Sequence, residues 1–127
     1  MSASLTQILI YAKDMQKTSN FYTRYFGFIA QADSDGRIIE LISQNGGAHI
    51  LIHQAGKGVK IGQATVKLVF DVEDIEEFKK KCAKSGLEFG STHQADDYSF
   101  ANTKDPDKNS VSISSRRFRK KPLQKLT

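Results

Sequence analysis

The stretch Gln7-Ile8-Leu9-Ile10-Tyr11-Ala12-Lys13-Asp14-Met15 is answered, sixty residues later, by Lys67-Leu68-Val69-Phe70-Asp71-Val72-Glu73-Asp74-Ile75. In each copy a β-rich apolar run gives way, at an aspartate suited to capping a helix, to a pattern of helical period. After Asp14, the residues Met15, Thr18, Tyr22, Tyr25 and Phe26 recur at spacings of three and four, and Gly27 stands where a left-handed helix stop belongs. After Asp74, which with Glu77 resembles a capping box, Ile75, Phe78 and Cys82 mark the buried stripe and Gly86 the stop.

Working outward, each strand–helix pair is followed by three further strand candidates. In the first half they cover 28–33, 37–43 and 48–54, parted by the turn signals Ser34-Asp35-Gly36 and Asn45-Gly46-Gly47. In the second half they cover 87–93, 98–103 and 110–114, with Asp105-Pro106-Asp107 turning the chain before the last. The sequence therefore reads as an internal repeat of a βαβββ unit, in the α+β class. Residues 5–54 and 63–115 are the two modules of one domain spanning 1–115, residues 55–62 link them, and 116–127 form a basic tail.

Side chains alternate across a strand, so each strand splits into two rows. Ile8 and Ile10 oppose Gln7, Leu9 and Tyr11; Ala48, Ile50 and Ile52 oppose His49, Leu51 and His53. Val66, Leu68, Phe70 and Val72 oppose Lys67, Val69 and Asp71, and Val111 and Ile113 oppose Ser110, Ser112 and Ser114. One dry row and one mixed row per strand is what a sheet covered by helices on a single side requires. The mixed rows face either solvent or an open groove.

Composition narrows the function classes. The chain of 127 residues carries a net charge of +5, yet Arg116, Arg117, Arg119, Lys120, Lys121 and Lys125 are six positive charges with no acid among them, which leaves residues 1–115 at −1. The body is nearly neutral, and the tail is expected to be a disordered, solubilising end; contact with nucleic acid or an anionic surface is the lesser alternative. One cysteine excludes an internal disulfide, and the start lacks the features of a signal peptide, so a cytoplasmic protein is expected. No apolar run approaches the ~20 residues of a membrane helix. The glycines at 56, 58 and 62 do not have the dinucleotide-binding spacing.

The opening run, together with Phe21-Tyr22-Thr23-Arg24-Tyr25-Phe26-Gly27-Phe28, resembles the start of the glyoxalase / bleomycin-resistance / extradiol dioxygenase superfamily, the vicinal oxygen chelate proteins. Phe70-Asp71-Val72-Glu73-Asp74-Ile75 and Asp105-Pro106-Asp107-Lys108-Asn109 resemble that family's second-module signatures. The resemblance covers residues 5–115. It implies paired βαβββ modules whose sheets curl into a cleft with helices outside, commonly completed by homodimerisation.

It also implies where a divalent ion would sit in metal-dependent members: on side chains from the first and last strands of each module. Those positions fall on Gln7, Leu51, Lys67 and Ser112, and only Gln7 keeps a donor that the family permits. A catalytic divalent site needs three or more good ligands, so no metal cofactor is the favoured expectation. His49 and His53 share a strand face but lie ~13 Å apart, too far for both to chelate one ion. The alternative is therefore a divalent metal held by Gln7 with His49 or His53, serving a lactoylglutathione-lyase-like or dioxygenase activity. His93 reads as a loop residue and Cys82 as core. The expectation carried forward is a binding protein for a small organic molecule, probed at Gln7, Tyr11, His49, Leu51, His53, Lys67, Tyr98, Phe100 and Ser112. Lys67 suits an anionic or carbonyl oxygen, and Tyr98 and Phe100 suit a flat ligand.

Overall fold

Asp14 Oδ1 accepts the Lys17 amide at 3.1 Å, and Asp74 Oδ1 accepts the Glu77 amide at 3.1 Å, so both expected caps form. The computed structural model describes residues 2–121 and Leu126. Its elements run β1 (Gln7–Ala12), α1 (Met15–Phe26), β2 (Ile29–Ala32), β3 (Ile38–Ile42), β4 (His49–Gln54), β5 (Lys67–Asp71), α2 (Ile75–Lys84), β6 (His93–Gln94), β7 (Ser99–Lys104) and β8 (Ser110–Ser114). A short 3₁₀ turn, Arg116–Phe118, follows. Gly27 ends α1 at φ 76°, a left-handed conformation that a side chain resists.

The chain forms two units. Unit 1 holds Met1–Gln63 together with Asp105–Lys108; unit 2 holds Ala64–Lys104 and Asn109–Thr127. Each contains one four-stranded sheet, ordered β1-β4-β3-β2 in unit 1 and β5-β8-β7-β6 in unit 2. In both, the first and last strands pair in parallel and the remaining pairs are antiparallel. The repeat seen in the sequence is thus a repeat of topology.

Alternation decides which face is covered. In unit 1, Ala12, Leu41, Ile50 and Ile52 are buried on the side of α1, together with Phe21, Tyr22 and Phe28. Phe21 meets Tyr22 edge to face at 4.9 Å and Tyr22 meets Phe28 at 6.3 Å. Burying side chains of this size contributes about 1.5–3 kcal/mol each. In unit 2 the corresponding layer is Ala101, Val111 and Ile113 with Ile75 and Cys82 of α2. Burial pushes the Cys82 thiol above its ordinary pKa, with Lys81 opposing.

The Asp-Pro-Asp motif is a polar anchor within unit 1. Asp105 and Asp107 are only 4% and 3% exposed, and buried carboxylates demand donors. Tyr22 Oη donates to Asp105 Oδ2 at 2.7 Å, Thr18 Oγ1 to Asp107 Oδ2 at 2.5 Å and the Lys13 amide to Asp107 Oδ1 at 3.0 Å. The Asp107 amide donates to Asp105 Oδ1 at 2.8 Å and closes the turn. Burial, then the Asp105 charge and hydrogen bond, push the Tyr22 phenol well above its ordinary range, so it stays a donor.

Three expectations need correction. The strand expected over 87–93 shrinks to His93–Gln94, because Phe89 packs on Phe78 of α2 at 6.3 Å and Gly90 makes one backbone bond to Asn102. Val66 lies outside β5 and is 63% exposed, so it takes no part in the dry row. The tail is no loose end over its described part. Arg117 lies 3.8 Å from Asp71, and Lys121 binds Asp96 at 2.8 Å through Nζ and Asp97 at 2.9 Å through its amide. Lys125 lies outside the described residues.

Candidate functional site

The face of each sheet turned away from its helix carries the mixed rows. In unit 1, register sets Gln7 beside His49, Leu9 beside Leu51 and Leu51 beside Glu40, and Tyr11 beside His53 and His53 beside Ile38. All five residues singled out from the first half, Gln7, Tyr11, His49, Leu51 and His53, therefore share one face. His49 Nδ1 lies 4.0 Å from Glu40 Oε2, and the Tyr11 and His53 rings meet edge to face at 5.7 Å. His53 Nδ1 is 3.0 Å from the Gln54 carbonyl. Leu9 and Tyr11 are 43% and 51% exposed, so apolar surface surrounds these polar groups.

In unit 2, three rungs cross the open face. Lys67 pairs with Ser110 and Ser110 with Lys104; Val69 with Ser112 and Ser112 with Asn102; Asp71 with Ser114, Ser114 with Phe100, and Phe100 with His93. Lys67 Nζ reaches across the sheet to donate to Asn102 Oδ1 at 3.0 Å, and lies 6.0 Å from the centre of the Phe100 ring. Phe100 stacks on His93 at 5.1 Å with planes 28° apart and meets Tyr98 at 6.3 Å, while the Arg116 guanidinium sits 5.8 Å over Tyr98. His93 is thus no loop residue: it extends an aromatic shelf bounded by two cations. Ser112 differs from the other site candidates. It is 2% exposed and its Oγ donates to the Ala101 carbonyl at 3.1 Å, so it offers little to a ligand.

Glu40, His93, Asn102, Lys104 and Arg116 were not among the site residues expected from sequence. For Glu40 a signal existed, a lone acid within Ile38-Ile39-Glu40-Leu41-Ile42. Asn102 and Lys104 emerge only from the pairing of β7 with β8.

Two βαβββ units with parallel first and last strands, in this order, match a known domain. The family model for the glyoxalase/bleomycin resistance protein/dioxygenase superfamily fits residues 4–113. The chain belongs to this superfamily. Among solved structures, UcmS2 is similar at TM-score 0.75 and 17% identity, covering 91% of this chain and 99% of its own. TnmS3, an antibiotic binding protein from Streptomyces sp. CB03234, is similar at TM-score 0.72 and 16% identity, covering 88% and 94%. A lactoylglutathione lyase from Agrobacterium tumefaciens is similar at TM-score 0.68 and 17% identity, covering 89% and 93%. At these identities the likeness is one of fold. No curated protein matches the chain.

Superfamily members often use a divalent metal, and the residues present do not fit one at the four positions that the resemblance marks. Leu51 has no donor atom, Lys67 brings an ammonium, and the Ser112 hydroxyl is buried and committed. Gln7 is left alone in its set. Among the described residues no three His, Cys, Asp or Glu side chains gather where they could hold an ion. Gln7 and His49 are adjacent, whereas His53 is two rungs away. No helix among the described residues is long and apolar enough to cross a membrane.

Proposed function

We propose that this superfamily member is a binding protein that takes up a small, flat organic molecule without a metal, on the open face of the unit 2 sheet. The observation that carries the reading is Lys67. It stands at a position that the family resemblance marks for a metal ligand, and its ammonium rests against Asn102 Oδ1 at 3.0 Å beside the Phe100 ring. A fixed positive charge there answers a carbonyl or anionic oxygen of a ligand directly, and the shelf of His93, Phe100 and Tyr98 offers π-faces to a ring. Sequestration needs affinity alone and so tolerates the loss of metal ligands.

Homodimerisation and a cytoplasmic setting belong to the same reading. Leu9, Tyr11 and Ile29, each over 40% exposed on the unit 1 face, are apolar surface for a second copy to cover, and the single Cys82 suits a reducing compartment. Nucleic acid is not expected as a partner, since Arg117 and Lys121 already face Asp71, Asp96 and Asp97.

One observation favours a second reading, a metal-dependent lyase, isomerase or dioxygenase. Gln7 and His49 are register partners and Glu40 lies 4.0 Å from His49, so two or three donors share a patch. Elemental analysis of protein purified without chelator, with a methylglyoxal–glutathione hemithioacetal assay, separates the two. The binding reading expects substoichiometric metal and no turnover; nickel, zinc or iron near one per chain, with turnover, overturns it.

A further inference from the structure

The first rung of the unit 2 face holds two lysines, and the binding reading above does not use the second. Lys67 and Lys104 flank Ser110 across three adjacent strands, their backbones about 10 Å apart at ordinary strand spacing. Each side chain reaches a polar atom on another strand. Lys67 Nζ crosses β8 to reach Asn102 on β7, and Lys104 Nζ reaches from β7 to Ser110 Oγ on β8 at 2.9 Å. The two acceptors, Asn102 and Ser110, lie on paired strands one rung apart.

Among the described residues neither lysine has a carboxylate partner; each rests on one neutral oxygen. An ammonium has three donors, so two remain on each. The acid of this face, Asp71, lies two rungs from Lys67 and faces Arg117 at 3.8 Å. Two like charges resting on neutral acceptors one rung apart, one of them beside an aromatic ring, form a place that a bound oxyanion would neutralise.

We infer that Lys67 and Lys104 together seat the oxyanion of an aromatic ligand, a carboxylate or a phosphate monoester, whose ring stacks on Phe100. The inference rests on the binding reading and names its ligand class. Ser110 Oγ and Asn102 lie beneath the oxyanion and orient the two ammoniums. The 6.0 Å between Lys67 Nζ and the Phe100 centroid suits an acid group attached to the stacked ring itself or one atom removed from it.

The test is calorimetric titration of the full chain with 2-naphthoate, 2-naphthyl phosphate and neutral 2-naphthamide. Charge-assisted hydrogen bonds predict that at least one of the two anions binds about tenfold more tightly than the amide. Whichever anion is preferred identifies the source as carboxylate or phosphate. Lys67→Gln and Lys104→Gln should each cut that preference several-fold, added salt should narrow it, and Phe100→Ala should weaken all three probes. Both lysines are exposed, so these variants keep the fold. An amide that binds as well as the anions, or a preference that survives Lys104→Gln, overturns the inference while the binding reading stands. If no naphthyl probe binds, or if Phe100→Ala changes nothing, both fall.

Discussion

Replacing Tyr22 by Phe removes one oxygen from a side chain that is wholly buried, and leaves Asp105 Oδ2 without the phenol that donates to it at 2.7 Å. The ring and its contacts with Phe21 and Phe28 remain, so the change isolates the polar term. A hydrogen bond to a buried charge contributes about 1.5–3 kcal/mol, and Asp105 at 4% exposure gains little water in exchange. Tyr22→Phe should therefore cost ~2–3 kcal/mol, lowering the urea midpoint by about 1–3 M for an m-value of ~1–2 kcal/mol/M. Asp105→Asn and the double variant complete a cycle in which the two losses are far from additive, with a coupling of at least ~1 kcal/mol. The pH dependence gives an independent check. Folded Tyr22 holds its proton above the ordinary tyrosine range, whereas an unfolded tyrosine releases it near pH ~10. Above that pH the unfolded chain binds fewer protons than the folded one, so wild-type stability falls as pH rises and the Phe variant is spared this loss. The gap between the two should shrink from pH 9 to pH 11. A loss below ~0.5 kcal/mol at neutral pH, or additivity in the cycle, would refute the assignment of the Asp-Pro-Asp turn as a hydrogen-bonded anchor.

Asp14→Ala and Asp74→Ala each remove a side-chain cap, and each should cost about 1 kcal/mol in chemical unfolding; Asn at either position should restore most of it. Cys82 is 5% exposed with its thiol pushed up by burial, so a disulfide reagent at pH 8 should label it slowly in the folded protein and fast in urea; equal rates would show the α2 layer to be open. Lys121→Ala removes an exposed pair with Asp96 but keeps the amide bond to Asp97, and should change stability by less than ~1 kcal/mol. A larger loss would mean that the tail segment packs more tightly than its exposure implies.

What could be read from the residues was whatever local chemistry decides. Asp14, Gly27 and Asp74 act within one turn of themselves, and the alternation in Ile8–Ala12 and Ser110–Ser114 needs no partner to be seen. Lys67 was legible because the sixty-residue repeat set it upon Gln7. The strand expected over 87–93 does not form before His93 because its alternating Leu87 and Phe89 serve a packed loop, Phe89 against Phe78, and alternation alone does not distinguish a ladder from such a crossing. Glu40 and Lys104 depended on register, which is set by pairing with residues far along the chain. The tail looked solubilising on composition, yet Asp71, Asp96 and Asp97 lie within reach of Arg117 and Lys121 only once unit 2 is folded.

The seating of Asp105–Lys108 in unit 1 bears on how the protein is made. Thr18, Tyr22 and Lys13 must wait for partners 83 to 94 positions downstream. A ribosome that has finished Gln63 has about 45 more residues to add before this turn exists, roughly 2–9 s at ~5–20 residues per second. Throughout that interval the nascent first unit has its apolar layer but not the Asp107 and Asp105 carboxylates that accept from the Thr18 and Tyr22 hydroxyls. Its completion is tied to translation of the second half, and a chain that stalled after the linker would present to chaperones and proteases a unit lacking its last piece.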